Sequence, residues 1–265
     1  MQAKSSTNLF GIDVSHHQGT IKWPNVKAKN VKYAFIKASE GRTLQDTQFR
    51  RNATGAKAVG IPVGFYHYAH PQNNSPSAEA ENFLETIKGL PHDLPCVLDM
   101  EEPKARGLGK SAITAWSKKW CELVEKATGM RPIIYSGASF AKDLLGSDLA
   151  KYPLWVAHYG VSQPMANPTW SKWSIFQYSD KDPSNLSGIG SGNVDLNWME
   201  ASFMAELTNK DEPVGKDYTG HWAEASIEAV IRAGLIGGYP DGSFKPDQPV
   251  TRAEMAIIVN RLLNK

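Results

Sequence analysis

Short apolar runs alternate with amphipathic stretches along most of the chain. Eight of these runs have the β-branched and aromatic content of buried strands. They begin at Phe10, Tyr33, Val63, Cys96, Pro132, Leu154, Ser174 and Val194. Helical stretches at 47–59, 77–88 and 111–128 separate the early runs, which is typical of βα units. Because eight is the strand count of a closed parallel barrel, the pattern predicts an α/β barrel over residues 1–206.

The pattern changes after Tyr135. The segments between the last apolar runs are rich in Pro, Ser, Asn and Gly and show no helical period. We therefore expect an irregular (β/α) barrel with reduced helices, in which loops replace helices in the second half. Charge and polarity rise over 207–217, LTNKDEPVGKD, and this composition predicts a linker.

Residues 218–265 are predicted to form a separate small helical module. Two amphipathic stretches, 223–233 and 252–263, have a helical period. They flank the segment GGYPDGSFKPDQP, in which Gly and Pro set the turns.

Charge and cysteine content narrow the classes of partner. The formal net charge is +2 and charges of both signs are interleaved, so we expect no nucleic-acid partner. No apolar run approaches the ~20 residues of a membrane span, and the start MQAKSSTNLF lacks a signal-peptide pattern. We expect no membrane partner and synthesis in the cytoplasm without a signal peptide. Cys96 and Cys121 lack metal-site spacing and are predicted to be buried thiols.

The segment LDMEE places two acids at the end of an otherwise apolar strand. Residues two apart in a strand point to the same side, so Asp99 and Glu101 are predicted to share one space. Two such carboxylates cannot both ionise freely, and one of the two pKa values must rise, as a general acid requires. The alternative is a solvated acidic loop that includes Glu102.

Two further acids strengthen the first interpretation. Asp13 ends the first strand and Asp195 lies in the last, so a closed barrel makes them neighbours at one mouth. Burying four carboxylates is costly unless they are paired or used. A divalent metal held with His16 or His17 is an alternative, because hard cations favour such oxygens. Without a two-His spacing to support it, we expect no metal and no cofactor.

The motifs together resemble the glycoside hydrolase family 25 lysozymes, the N,O-diacetylmuramidases. The matching pieces are GIDVSHHQG, FIKASEG, VGFYHYAHP, LDMEE, IIYSG, LWVAHYG, FQYS and VDLNW, in family order from about Asn8 to Met199. The resemblance implies an irregular β/α barrel and cleavage of the β-1,4 bond between N-acetylmuramic acid and N-acetylglucosamine in peptidoglycan. Carried over by position, Glu101 is the proton donor, and Asp13, Asp99 and Asp195 are the surrounding acids.

Aromatic and amide side chains in these motifs are candidates for substrate binding, because flat aromatic faces stack on sugar rings. The candidates are Tyr66, Tyr68, Tyr135, Trp155, Tyr159, Gln177 and Tyr178. The alternative is that they fill the core or position the acids. His67 and His158, like His16 and His17, rank second, because a histidine at a strand end is more often a structural hydrogen bonder.

The segment from His221 to Leu263 resembles one S-layer homology repeat, with the markers HWA, GYPDGSFKP and TRAE. The resemblance implies binding to a secondary cell-wall polysaccharide, often one that bears ketal-pyruvate. The candidate binding residues are Trp222, Tyr239, Asp241 and Arg252. An Arg fork suits a carboxylate, although Arg252 has the alternative of pairing with Glu254. Because family members commonly carry three repeats and this chain has one, a homo-oligomer is one way to complete the binding surface. It would use the apolar stripe of Ile227, Val230, Ile231, Ile257, Ile258 and Leu262, and the alternative is that this stripe packs within its own repeat or against the barrel.

Three functions are compatible with the pattern. The first is an endolysin-like lysozyme, made without a signal peptide, that acts on the cell wall and is anchored there by its C-terminal module. The second is a non-catalytic wall-glycan binding protein on the same barrel, and the third is a host autolysin for wall remodelling. The four acids favour an enzyme.

Overall fold

The computed structural model describes residues 1–181, 186, 188–189, 193–208, 217–239 and 243–263. The chain divides into two compact units, Met1–Met204 and Ala205–Lys265. Most of the predicted linker lies outside the described residues. None of the described helices is long and apolar enough to cross a bilayer.

Strands and helices alternate through the first unit. The strands are β1 (Leu9–Val14), β2 (Tyr33–Glu40), β3 (Leu44–Gln45), β4 (Val63–Tyr68), β5 (Val97–Asp99), β6 (Ile133–Gly137), β7 (Leu154–Ala157), β8 (Ile175–Ser179) and β9 (Asp195–Met199). The helices are α1 (Trp23–Ala28), α2 (Phe49–Ala58), α3 (Pro76–Ile87), α4 (Gly109–Thr128), α5 (Ala138–Leu144) and α6 (Ala201–Thr208). All eight predicted strands are present, whereas α1, α5, α6 and the two-residue β3 were not predicted.

Eight strands form a closed barrel, because β1 pairs with β2 on one side and with β9 on the other. The pairs from β1 through β2, β4, β5, β6 and β7 to β8 are parallel. The prediction of an all-parallel barrel is wrong for the last strand, since β9 runs antiparallel to both of its neighbours. An antiparallel strand can follow its neighbour without a crossover helix, and this agrees with the Pro- and Gly-rich composition of the segment before β9.

Glycines make room for aromatic rings inside the barrel. Gly11 lies opposite Tyr33 and Gly64 lies opposite Phe35 in the strand register. A Cβ atom at either glycine would collide with the facing ring. The interior of the barrel is therefore filled by large side chains that each face a glycine, and it forms a packed core.

The helices cover the outer face of the sheet in the first half of the barrel. Helix α3 begins after Ser75, whose hydroxyl accepts a hydrogen bond from the amide of Ala78, and α4 ends at Gly129, whose φ of 71° is left-handed. Beneath α3 and α4, Phe83 and Trp120 are fully buried. Cys96 and Cys121 are both buried free thiols, as predicted.

The C-terminal unit contains α7 (Glu224–Arg232) and α8 (Arg252–Leu263). Its buried apolar residues are few, namely Tyr218 and Ile227 among those described. The ring of Tyr218 packs against Phe244 at 5.3 Å, and Asp217 accepts hydrogen bonds from the backbone amides of Phe244 and Lys245. No residue of α8 is buried.

Candidate active site

A cavity of about 250 Å³ opens at the carboxyl ends of the parallel strands. Asp13 reaches it from β1, Asp99 and Glu101 from the end of β5, and Asp195 from the start of β9. Asp195 is at this mouth because β9 is reversed, so its first residue pairs with the next-to-last residue of β1. The structure thus brings the four predicted acids together.

Asp13 and Asp195 form a carboxyl pair directly across the β1–β9 ladder. Each carboxyl affects the pKa of the other, and a proton on one of them would let it donate a hydrogen bond to the other. Asp13 Oδ2 also accepts bonds from Asn197 Nδ2 at 2.7 Å and from Gln177 Nε2 at 2.9 Å. Burial raises both pKa values, and the charge of Asp13 raises the pKa of Asp195 further. Because the two amides stabilise the charge on Asp13, Asp195 is the member that holds the proton.

Aromatic side chains hold these amides in place. The hydroxyls of Tyr135 and Tyr159 both donate to Gln177 Oε1, at 2.8 and 2.6 Å. On the other side, Trp155 Nε1 donates to Asn197 Oδ1 at 2.8 Å. Several predicted substrate-binding residues therefore act, at least in part, by fixing the orientation of Asp13.

The second pair of acids, Asp99 and Glu101, is less well satisfied. Asp99 is buried, and its Oδ1 atom has no hydrogen-bond partner among the described residues. Burial and the charge of Glu101 raise the pKa of Asp99 well above its ordinary value. Burial and the charge of Asp195 raise the pKa of Glu101 to about 7, against the opposing effects of Lys37 and a hydrogen bond with Tyr135. A carboxyl group with this pKa carries a proton near neutral pH, as a general acid must.

The predicted aromatic set is divided by the structure. Tyr66, Tyr68, Tyr135 and Trp155 line the cavity with Gln177. Tyr159 is 43% exposed and reaches Gln177 through its hydroxyl. Tyr178 was predicted at the same mouth, but its ring stacks on Trp198 at 5.5 Å instead. Tyr178 lies at a register shift of β8 against β9, between Gln177 and Ser179, where the regular alternation of the strand is interrupted.

Comparison with known families assigns this arrangement. The family model described as Glycosyl hydrolases family 25 matches residues 12–188, which is more than half of the chain. The chain belongs to glycosyl hydrolase family 25. A second model, described as S-layer homology domain, matches residues 216–256.

Relatives and solved structures agree with the family 25 assignment. Lysozyme M1 of Streptomyces globisporus is 37% identical over 207 residues, covering 74% of this chain and 69% of the relative. The autolytic lysozyme of Clostridium acetobutylicum is 37% identical over 229 residues, covering 86% and 67%. The crystal structure of a bacterial lysozyme from Streptomyces coelicolor superposes with a TM-score of 0.69 at 34% identity, covering 77% of this chain and 99% of that one. The family 25 chain is a glycoside hydrolase of the lysozyme class.

The histidines of the family 25 barrel have mainly structural contacts. His67 is fully buried between Ser39 and Glu79, with both ring nitrogens at 2.8 Å from their partners. Burial lowers its pKa, so the ring is neutral. His158 Nδ1 accepts a bond from the backbone of Met165.

The two histidines after β1 differ from each other. The ring of His16 is held by the buried carboxylate of Asp46 at 2.8 Å, whereas His17 lines the cavity and stacks on His16. Among the described residues, no cluster of three or more His, Cys, Asp or Glu side chains is arranged to hold a metal ion.

Two functional candidates were missed in the sequence. Lys37 lines the cavity, and Asn197 bonds directly to Asp13. Both residues have a feature in the sequence that could have identified them. Lys37 is a charged residue inside the apolar run YAFIKAS, and Asn197 is two residues after Asp195, so it points to the same face of the strand.

The predicted wall-binding residues of the C-terminal unit are on its surface where they are described. Trp222 is 91% exposed. The hydroxyl of Tyr239 donates to Glu254 at 3.2 Å, and Thr251 donates to the same carboxylate. Arg252 is exposed at the start of α8. Asp241 lies outside the described residues.

Proposed function

We propose that this lysozyme is endolysin-like and hydrolyses the β-1,4 bond between N-acetylmuramic acid and N-acetylglucosamine in peptidoglycan. The observation that carries the proposal is the pair of unlike carboxyls at the end of β5. Glu101 has its pKa raised to about 7, and beside it Asp99 has a buried oxygen without a partner. One is suited to donate a proton and the other to accept a hydrogen bond from the substrate. A relative from Arthroderma benhamiae named N,O-diacetylmuramidase, 29% identical, supports the choice of bond.

The proposed mechanism uses the substrate's own acetamido group. Asp99 and Glu101 follow one strand and approach the sugar from the same side, which is unfavourable for acid and nucleophile on opposite faces. Asp99 Oδ1 accepts the acetamido N–H, and the acetamido carbonyl oxygen attacks C1 while Glu101 protonates the leaving glycosidic oxygen. Water then opens the cyclic intermediate, and Glu101 takes the proton of that water. Two displacements at C1 give retained configuration.

Glu101→Gln tests the role of the acid, because the amide has the same size but donates no acidic proton. We expect a loss of at least about 100-fold in reducing ends released from a wall suspension. Glu102→Gln is the matched control, one residue away, and should stay within a few-fold of wild type. A Glu101→Gln variant that keeps more than about a tenth of the activity would contradict the assignment.

The stereochemical course tests the acetamido mechanism separately. NMR of the first product formed from the β-linked chain should show the β-anomer before mutarotation. Initial appearance of the α-anomer would mean inversion and would exclude the acetamido group as nucleophile, while leaving Glu101 as acid.

We further propose that residues 218–265 anchor the enzyme to a secondary cell-wall polysaccharide, following the linker at 207–217. The support is the S-layer homology match and the exposed Trp222, a flat face suited to sugar. Trp222→Ala in the full chain should reduce the fraction that sediments with purified walls, whereas Leu263→Ala, which alters another exposed side chain of the unit, should not. Equal sedimentation of the Trp222→Ala variant and wild type would contradict a binding role for this residue.

Self-association of the same unit is proposed from the apolar residues of α8. Met255, Ile257, Val259 and Leu262 are between 44% and 53% exposed. Copies related by cyclic symmetry would cover them and multiply wall-binding sites. Light scattering of the full chain at tens of micromolar should give a mass above that of a monomer, and Ile257→Lys should restore the monomer. A monomeric wild type would contradict the proposal.

A host autolysin is the second candidate, because the Clostridium acetobutylicum relative is named an autolytic lysozyme. The neighbouring genes distinguish an endolysin from a host autolysin. Genes for phage structure and membrane permeabilisation beside this gene support the endolysin, whereas their absence together with expression during normal growth supports the autolysin.

A further inference from the structure

Strand β2 contains an extra residue at the level of the cavity. Lys37 pairs with Tyr66 and Glu40 pairs with Tyr68, so three steps along β2 match two steps along β4. The register shift lies between Lys37 and Ser39, which makes this a β-bulge. Bulges next to active sites commonly redirect a side chain.

The bulge brings an ion pair into the barrel. In a regular strand, residues three apart point to opposite faces, so Lys37 and Glu40 would be separated by the sheet. Here Lys37 Nζ lies 2.6 Å from Glu40 Oε2, with side-chain exposures of only 10% and 28%. The other oxygen of Glu40 lies 2.8 Å from His70 Nε2. The position of Lys37 is therefore fixed by the carboxylate of Glu40, which is fixed in turn by its contact with His70.

Lys37 is the one permanent cation among the described residues that line the cavity. Its ammonium group lies 5.2 Å from the centre of the Tyr68 ring. The titratable groups that line the cavity with Lys37 are Asp13, His17, Tyr66, Tyr68, Asp99, Glu101, Tyr135 and Asp195. Its ion pair with Glu40 continues through His70 to Glu102, and its charge also acts on His67. Acids outnumber cations in this set, so the single positive charge of Lys37 opposes the rise in pKa of the acids around it.

We infer that Lys37, with its charge partly balanced by Glu40, is a positioning residue that sets the protonation of Asp99 and Glu101 together. The inference rests on the proposed roles of Asp99 and Glu101. Its direction agrees with the effect of Lys37 on both acids, because its charge opposes the burial that raises the pKa of Asp99 and of Glu101.

Glu40 is needed because the charge of Lys37, without a neighbouring anion, would lower the pKa of Glu101 too far. A free ammonium group beside both acids would ionise Glu101 as well as Asp99 and remove the proton that the reaction uses. Without the cation, the pKa of both acids would rise further, and a protonated Asp99 would be a weaker acceptor for the acetamido N–H. The hydrogen bonds from Lys37 and His70 outweigh the burial of Glu40 and lower its pKa, so Glu40 is ionised where the enzyme works.

The pH profile of kcat on soluble, uncross-linked glycan strands tests this. Lys37→Met removes a positive charge, so both limbs of the profile should move to higher pH, by about one unit. Glu40→Gln leaves Lys37 unbalanced, so both limbs should move to lower pH. Lys37→Arg should restore the wild-type limbs, which loss of packing alone does not predict. Lys57→Met is the matched control, since it breaks a 2.8 Å ion pair with Asp93 outside the cavity and should leave the limbs in place.

Limbs that do not move in Lys37→Met and Glu40→Gln, or that move in the same direction in both, would overturn the inference. If Lys37→Met does not fold, Glu40→Gln decides alone, because only a shift to lower pH agrees. Glu101→Gln separates this result from the assignment of the acid. An active Glu101→Gln variant removes the proposed function, whereas an inactive one with unmoved limbs in the other variants removes only the role of Lys37.

Discussion

The barrel and the C-terminal unit use their apolar residues in opposite ways. In the barrel, α3 and α4 press fully buried side chains such as Phe83 and Trp120 against the sheet. In the C-terminal unit, α8 is of similar length to α3 but has no buried residue, and Leu263 is 80% exposed. The apolar surface of α8 is thus open in the chain as described.

Polar residues show the reverse contrast. The barrel encloses charged and amide groups, including Asp13, Asp99 and Asn197, which contribute little to stability and much to the site. The polar residues of the C-terminal unit are mostly solvated. The barrel thus has polar groups that are costly to bury inside a large apolar core, whereas the smaller unit exposes much of its apolar surface and carries its proposed binding residues on the outside.

The largest expected effect is on packing. Phe83→Ala should lower the free energy of unfolding of the barrel by about 3–5 kcal/mol, because it leaves a cavity under α3. Ile257→Ala, at a site 52% exposed, should change the unfolding of the C-terminal unit by less than about 0.5 kcal/mol in dilute solution. Urea denaturation followed by circular dichroism measures both. A large loss for Ile257→Ala in a monomer would show that α8 is covered after all.

A smaller effect is expected from Asp195→Asn. The pKa of Asp195 is raised by burial and by Asp13, so the folded chain binds a proton that the unfolded chain releases between about pH 4 and pH 8. Stability is therefore greatest below the unfolded pKa and falls as pH rises through this window. The variant, which cannot ionise, should be more stable than wild type by about 1–3 kcal/mol at pH 8 and equal to it at pH 4. Thermal melts at the two pH values decide, and a variant less stable than wild type at pH 8 would contradict the cost assigned to this acid.

The smallest effect is expected at the helix starts, where the two regions are alike. Thr251 accepts a hydrogen bond from the amide of Glu254 at α8, and Ser75 accepts one from Ala78 at α3. Thr251→Ala and Ser75→Ala should each cost about 1 kcal/mol. Each loss should appear only in the unfolding transition of its own unit. A Thr251→Ala change that also lowers the barrel transition would mean that the units unfold together.

The local features of the fold could be predicted from the sequence. The apolar runs located every strand of the closed barrel, and the predicted end of the helical stretch at 111–128 was correct. Short elements were missed, because α5 has only seven residues and gives too few turns for a period. The direction of β9 was also missed, since the apolar pattern of a strand is the same in either direction.

Side-chain placement in the site was predicted only in part. Asp13, Asp99 and Glu101 followed from their positions at strand ends. Lys37 was not foreseen, because its contact with Glu40 depends on an extra residue in β2, and a bulge has no clear mark in a single sequence. The placement of Tyr178 was not foreseen either, because it lies at a register shift of β8 between Gln177 and Ser179.

The chain of donors behind Asp13 has a fixed polarity. An indole nitrogen only donates, so Trp155 forces the Asn197 oxygen towards itself and the Asn197 amide towards Asp13. Only the side chain of Asn197 separates the indole N–H of Trp155 from the carboxylate of Asp13, so ionisation of Asp13 changes the surroundings of that N–H. Its resonance in a nitrogen–proton NMR spectrum lies apart from the backbone signals, so Trp155 is a built-in spectroscopic reporter for titration of the Asp13–Asp195 pair, with no label in the site itself.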